Sequence, residues 1–140
     1  MKGIFIVFEG CEGVGKSTQI SILKDRLGEL RLAIITKEPG GTPTGLAFRE
    51  QLMAGGLTPE QELDLFIKDR AIHVNEFLLP SLEQGLVVLC DRFSDSNVAY
   101  QGYGRGLGLE YISEKDKKAR NGLEPDLVII LDMEPKIALE

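Results

Sequence analysis

The sequence predicts an α/β fold, a parallel β-sheet with helices on both faces. Three observations lead there. Short runs dominated by apolar residues recur at 4–8, 33–37, 86–90 and 127–131, the pattern of strands covered on both sides. Stretches with apolar residues at three- and four-residue spacing separate them, so strands and helices alternate. The first run leads straight into a glycine-rich loop that opens a helix. In such sheets ligands bind beyond the carboxyl ends of the strands.

The first strand is Ile4-Phe5-Ile6-Val7-Phe8. It is followed by Gly10, Cys11, Glu12, Gly13, Val14, Gly15, Lys16, Ser17 and Thr18, which fit Gly-x-x-x-x-Gly-Lys-Ser. The glycines permit backbone shapes that a side chain forbids, so successive N–H groups can turn inward onto phosphate oxygens. The helix behind, with Ile20, Leu23, Leu27 and Leu30 at helical spacing, adds about half a positive charge at its start. In that setting Lys16 reaches the β- and γ-phosphates and Ser17 holds Mg²⁺. A glycine turn that binds nothing is the alternative; the flanking strand and helix disfavour it.

Ala33–Lys37 reads as the second strand and Glu38-Pro39-Gly40-Gly41-Thr42 as a tight turn. A short helix from about Thr44 to Met53 stops at Gly55-Gly56. Thr58 caps the next helix, with Pro59 in its first position and Gln61 completing a capping box. That helix carries Leu63, Phe66, Ile67, Ala71, Val74 and Phe77 or Leu78 inward, and Pro80 is expected to interrupt it. The third strand is Leu86–Cys90, ending in Asp91-Arg92. A helix over about Ser94–Gln101 gives way to a flexible loop from Gly102 to Gly108. Glu110–Arg120 reads as a polar helix ended by Gly122. Leu127–Leu131 is expected to be a fourth buried strand, ending at Asp132, and Pro135–Glu140 the start of a helix.

The 140 residues, 43% of them hydrophobic, suit one domain with a real core and are too few for two. A net charge of −6 argues against a general nucleic-acid or membrane-surface binder, but a small phosphate ester needs only local cations. No stretch approaches the about 18 apolar residues of a membrane span, and Met1-Lys2-Gly3 runs directly into a strand, which argues against a signal peptide. Cys11 and Cys90 lie far apart, as expected of a reduced cytoplasmic protein, each a small loop or buried residue rather than a redox pair.

Asp91 closes an apolar strand, where a carboxylate can anchor Mg²⁺ through water, and Arg92 can clamp phosphate oxygens with its planar fork. A strand-end ion pair is the alternative, and the phosphate loop shifts the balance to function. Phe66 and Arg70 share a helix face and could stack on and hydrogen-bond a flat base, although alone they read as a core residue and a surface cation. His73 reads as a surface or packing residue rather than a general base. Asn-Lys-x-Asp, nucleophile–base and cysteine–histidine patterns are absent, against a GTPase, a hydrolase and a zinc site.

Taken together the motifs resemble the thymidylate kinase family: Phe8-Glu9-Gly10 before GKSTQ, Lys37 through Pro43, Phe66 with Asp69-Arg70, Asp91-Arg92-Phe93, Ala99 through Gly102, and Pro125-Asp126-Leu127. The resemblance covers essentially all 140 residues. It implies a P-loop fold of the nucleoside monophosphate kinase type and transfer of the γ-phosphoryl group of ATP to dTMP. It implies that Phe66 stacks on thymine, that Arg70 binds its carbonyl edge, and that Asn97 and Gln101 reach the base. Tyr100 would pack on the deoxyribose, and Arg49 and Arg92 would hold the acceptor phosphate. Glu12 would lie by the sugar hydroxyl and reacting phosphates, Glu38 would order the acceptor side, and Lys16 and Arg92 would offset charge in transfer. It also implies a homodimer, and a further catalytic arginine supplied from a lid, because Gly13 stands where some relatives carry one in the loop.

The sequence departs from the family in Lys37, where arginine is usual, and in ending at Glu140 before the lid and last strand. The expectation is therefore a single kinase domain, truncated at its C-terminus and poorly active by itself. A kinase for another pyrimidine nucleotide and a non-catalytic nucleotide-binding module remain the competing readings.

Overall fold

The computed structural model describes residues 2–28 and 30–139. Strand β1 (Ile4–Glu9) leads through the glycine loop into helix α1 (Lys16–Gly28). Strand β2 (Ala33–Lys37) is followed by α2 (Pro43–Ala54) and α3 (Pro59–His73). A π-helical turn, Val74–Leu78, joins α3 to α4 (Leu79–Glu83). Then come β3 (Val87–Asp91), α5 (Ser94–Asn97), a second π-helical turn (Val98–Gly104), α6 (Leu109–Arg120), β4 (Leu127–Ile130) and α7 (Pro135–Ala138). No described helix is long and apolar enough to cross a membrane.

The four strands run parallel in the order β2-β3-β1-β4. The register pairs Phe8 with Asp91 and Asp91 with Lys37, so the strands end level. The glycine loop, Glu38 and Arg92 therefore emerge side by side along one edge of the sheet. Alternation of side chains along β1 and β3 divides the core. Phe5, Val7, Val88 and Cys90 pack under Val74, Leu78 and Phe93, while Phe8, Val87 and Leu89 pack against Ile20 of α1.

The capping box at the start of α3 forms as expected: Thr58 Oγ1 accepts from the Gln61 N–H, and Gln61 Oε1 accepts from the Thr58 N–H. Four expectations need correction. Leu30 lies beyond α1 and is exposed, because the helix ends at Gly28. Pro80 does not end the helical run. The Leu79 N–H bonds five residues back to Val74, and this widened turn makes room for the proline ring in the first turn of α4. Gly102 and Gly104 are helical rather than a loop. Gly102 is small because the side chains of Leu109 and Ile112 press on it, so its glycine serves packing.

The fourth correction concerns β4. It is an edge strand with Leu127, Val128 and Ile130 exposed, and only Ile129 leans on the core. No described element covers the apolar run on both faces. Its start is fixed by Asp126, whose Oδ2 accepts from the Phe5 N–H at 2.8 Å while its own N–H donates to the Phe5 carbonyl at 2.8 Å.

Candidate active site

The glycine loop takes left-handed backbone at Gly13 (φ +78°) and Gly15 (φ +91°), and a side chain at Gly13 would strike the Ala138 carbonyl. Lys16, the first residue of α1, is buried. Its ammonium donates to the carbonyls of Gly10 (3.0 Å) and Cys11 (2.8 Å). Burial, with Arg92 nearby, holds its pKa below the ordinary lysine value. Ser17 Oγ donates weakly to Asp91 Oδ2 at 3.4 Å. Asp91 Oδ1 is buried and has no hydrogen-bond partner among the described residues. An orphaned carboxylate oxygen beside a hydroxyl at the phosphate loop fits Mg²⁺, an oxygen-seeking ion that keeps waters and phosphate oxygens as its other ligands. No group of three acidic, histidine or cysteine ligands exists among the described residues, so water and phosphate oxygens would supply the ion's other ligands.

Beside the loop opens a cleft of about 590 Å³. Arg92 enters it from the end of β3 with a left-handed backbone, φ +73°, unusual for a residue with a Cβ. Its Nη1 donates to Ser96 Oγ (3.3 Å) and Tyr100 Oη (3.2 Å), and the guanidinium lies 5.1 Å from the centre of the Tyr100 ring. Beneath it, Glu9 accepts from the Phe93 N–H (2.8 Å) and from Ser96 Oγ (2.7 Å). Burial pushes the Glu9 carboxyl above its ordinary pKa, against the lowering by those two bonds.

The far wall is a buried ionic cluster. Arg70 donates from Nε (2.9 Å) and Nη2 (2.7 Å) to Glu38 Oε2, and from Nη1 to Asp116 Oδ1 (2.6 Å). Its guanidinium sits 4.7 Å from the centre of the Phe93 ring. Burial by itself would lift the Glu38 carboxyl, but Arg70 and His73 outweigh it and hold its pKa below the ordinary range. Asn97, also buried, donates to Gln101 Oε1 at 3.0 Å, and its own Oδ1 has no partner among the described residues.

The structure brings Arg49, Phe66, Arg70 and Arg92 into this one cleft, together with Glu38 and Glu12. Asn97, Tyr100 and Gln101 also line it, so every residue named for acceptor binding meets here. Ser17 and Asp91 line a second hollow of about 490 Å³, and the Lys16 ammonium stands 4.0 Å from Asp91 Oδ1. The reading of Arg70, taken alone, as a surface cation is corrected, since it is 2% exposed, and of the surface and packing readings of His73 the structure keeps packing, at 0% exposed; both bind Glu38.

The family model described as thymidylate kinase matches residues 8–140. The chain belongs to the thymidylate kinase family. It is 51% identical over 138 residues to the thymidylate kinase of Synechococcus sp. (strain JA-3-3Ab), a match covering 97% of this chain and 68% of that one. It is 50% identical over 141 residues to the thymidylate kinase of Desulfovibrio desulfuricans, covering 98% and 65%. A crystal structure of thymidylate kinase from Ehrlichia chaffeensis superposes with a TM-score of 0.89 at 38% identity, covering 94% of this chain and 72% of that one. The chain thus spans about two thirds of the length of these curated relatives.

In this member of the thymidylate kinase family, several residues that build the site were not singled out from sequence. Glu9 could have been, because a carboxylate closing a buried strand needs a partner. His73 was weighed from sequence, but not its link to Glu38, although it stands three residues after Arg70 on the same helix face, which is a signal of shared partners. Ser96 and Asp116 carried none: a serine in a short helix and an aspartate in a polar one look like surface.

Proposed function

We propose that this chain is a P-loop kinase domain that transfers the γ-phosphoryl group of ATP to dTMP, giving ADP and dTDP. The observation that carries the reading is the one cleft that brings Phe66, Arg70 and Asn97 together with Arg49 and Arg92. The first three offer a π-face, buried donors and an Asn97 Oδ1 without a partner among the described residues, which suit a pyrimidine. Arg49 and Arg92 offer two guanidiniums, which suit a phosphate.

The acceptor phosphate would be held by Arg49 and Arg92 next to the phosphate loop. Lys16, now on loop carbonyls, would exchange them for the β- and γ-phosphate oxygens of ATP. Ser17 and Asp91 would hold Mg²⁺, which supplies neutralisation of the phosphate charge. Glu12 would lie near the sugar hydroxyl and the reacting phosphates, Tyr100 against the deoxyribose, and Gln101 behind the base with Asn97. Catalysis is then positioning and charge neutralisation, since the acceptor phosphate needs no strong base. A homodimer in the cytoplasm completes the proposal.

The test is nucleotide conversion followed by chromatography, with MgATP and in turn dTMP, dUMP, dCMP and thymidine, and dTMP affinity by calorimetry. Formation of dTDP, or at least preferential binding of dTMP, is the expected result. Equal handling of the other pyrimidines, or no binding of dTMP, would overturn it.

A further inference from the structure

The ring of His73 is fully enclosed, yet both its nitrogens are in use. Nδ1 lies 2.8 Å from Glu38 Oε1 and Nε2 lies 2.7 Å from Thr36 Oγ1. Glu38 is held as a carboxylate, which can only accept, so Nδ1 carries the proton. Nε2 then accepts from the Thr36 hydroxyl if the ring is neutral. The ring stacks on Phe77 with centroids 5.6 Å apart, and a side chain at Gly41 would collide with Nε2. The imidazole is clamped between β2, α3 and the 38–42 turn; it lines neither cleft itself, but Thr36, Gly41 and Phe77 around it line the hollow of Ser17 and Asp91.

What it does there follows from how Glu38 meets Arg70. A guanidinium and a carboxylate prefer two parallel hydrogen bonds, one to each oxygen. Here Nε and Nη2 of Arg70 both go to Oε2, because Oε1 belongs to His73. Without that donor the carboxylate would turn to give one oxygen to each nitrogen, and the guanidinium would follow. Arginine has five N–H groups and three are taken by Glu38 and Asp116, leaving two, one on each terminal nitrogen. Arg70 lines the cleft, so these two are its means of reading a base.

We propose that His73 is a positioning residue for substrate choice: by occupying one oxygen of Glu38 it sets the angle at which Arg70 presents its remaining donors to the pyrimidine. The inference rests on the dTMP reading and deepens it. Two donors suit the carbonyl oxygen of thymine and repel the amino group that cytosine carries at the same place. Displacing them lowers the preference for dTMP over dCMP, while the bonds of Lys16 to the loop carbonyls involve neither His73 nor its hydrogen-bond partners.

The test is calorimetric measurement of the dissociation constants of dTMP, dCMP and ATP for the wild-type chain and for H73N, H73Q and H73L, with thermal melts as the check on folding. The Asn amide stands near the Nδ1 position and the Gln amide near Nε2. H73N should therefore keep dTMP affinity within about threefold, whereas H73Q and H73L lose about tenfold or more and most of the dTMP preference. ATP affinity should stay within about twofold in all of them. If H73L fails to fold, the contrast between H73N and H73Q decides. Equal dTMP binding by those two, or parallel loss of dTMP and ATP, overturns the inference. A wild-type chain without preference for dTMP overturns the functional reading, and this inference with it. A wild-type preference that survives in H73Q and in any folded H73L removes this inference alone.

Discussion

The ammonium of Lys16 stands 4.0 Å from Asp91 Oδ1, yet its short bonds go to the carbonyls of Gly10 and Cys11. Neutral carbonyls are weak partners for a buried charge, and burial already lowers the pKa of this lysine. Triphosphate oxygens are better partners. Lys16→Met should therefore weaken MgATP binding about 10- to 100-fold, the worth of a hydrogen bond to a charged group, with dTMP affinity nearly unchanged. Asp91→Asn should instead abolish the gain in ATP affinity on adding Mg²⁺. Titrations of a fluorescent ATP analogue with and without Mg²⁺ separate the two, and a Mg²⁺ response intact in Asp91→Asn would refute the metal assignment.

The two cysteines should react at very different rates. Cys90 is fully buried, and burial pushes its thiol well above the ordinary pKa, so little thiolate forms. Cys11 is partly exposed in the phosphate loop at the edge of the cleft. One thiol should label in the native protein, and saturating MgATP should slow it. Thiol titration with peptide mass mapping reads both effects. Labelling of Cys90 ahead of Cys11, or no protection by MgATP, would contradict the loop's role as the nucleotide cradle.

Stability should respond to pH through two buried carboxylates of opposite tendency. Glu38 has its pKa held below the ordinary 4.5, so its contribution is present above that value and is lost as pH falls through the folded value. Glu9 has its pKa raised above 4.5, so its contribution is full below that value and is lost as pH rises through the folded one. Glu38→Gln should flatten the acid limb of a stability–pH curve, and Glu9→Gln should flatten the decline above pH 4.5. Denaturant melts over this range check both. A Glu9→Gln curve parallel to wild type would show that Glu9 titrates normally.

Much of this architecture was legible in the chain because it is local. The capping box at Thr58 and Gln61, the strands at 33–37 and 87–90, and the loop at Gly10–Thr18 each announce themselves within a few residues. Glu38 and Arg92 could be placed beside the loop because they follow strand ends that a parallel sheet aligns, whereas Arg49, Phe66, Arg70, Asn97, Tyr100 and Gln101 lie on helical segments and were named through the family resemblance. The cluster around Glu38 was not legible. It joins the turn after β2 to α3 and α6 across 32 to 46 residues of sequence, and a lone polar residue looks the same whether solvent or a partner awaits it. The exposure of β4 was hidden for the opposite reason: its composition promises cover, and composition does not say which residues supply it.

Arg92 supplies the last prediction, in which stability and binding part company. A left-handed backbone costs an L-residue roughly 1–2 kcal/mol, and glycine is free of that cost. Here the strain is held by the N–H bond to the Phe8 carbonyl at 2.9 Å and by the Phe93 N–H bond to Glu9 at 2.8 Å, which turn the side chain into the cleft. Both Arg92→Gly and Arg92→Ala delete the guanidinium, so both should lose about tenfold or more in dTMP affinity. They should differ in stability, because only alanine keeps the strained Cβ. The glycine variant should be the more stable by about 1 kcal/mol in urea melts. Equal stability of the two would mean that the left-handed backbone at Arg92 carries no strain. Unchanged dTMP affinity in both would remove Arg92 from the acceptor site.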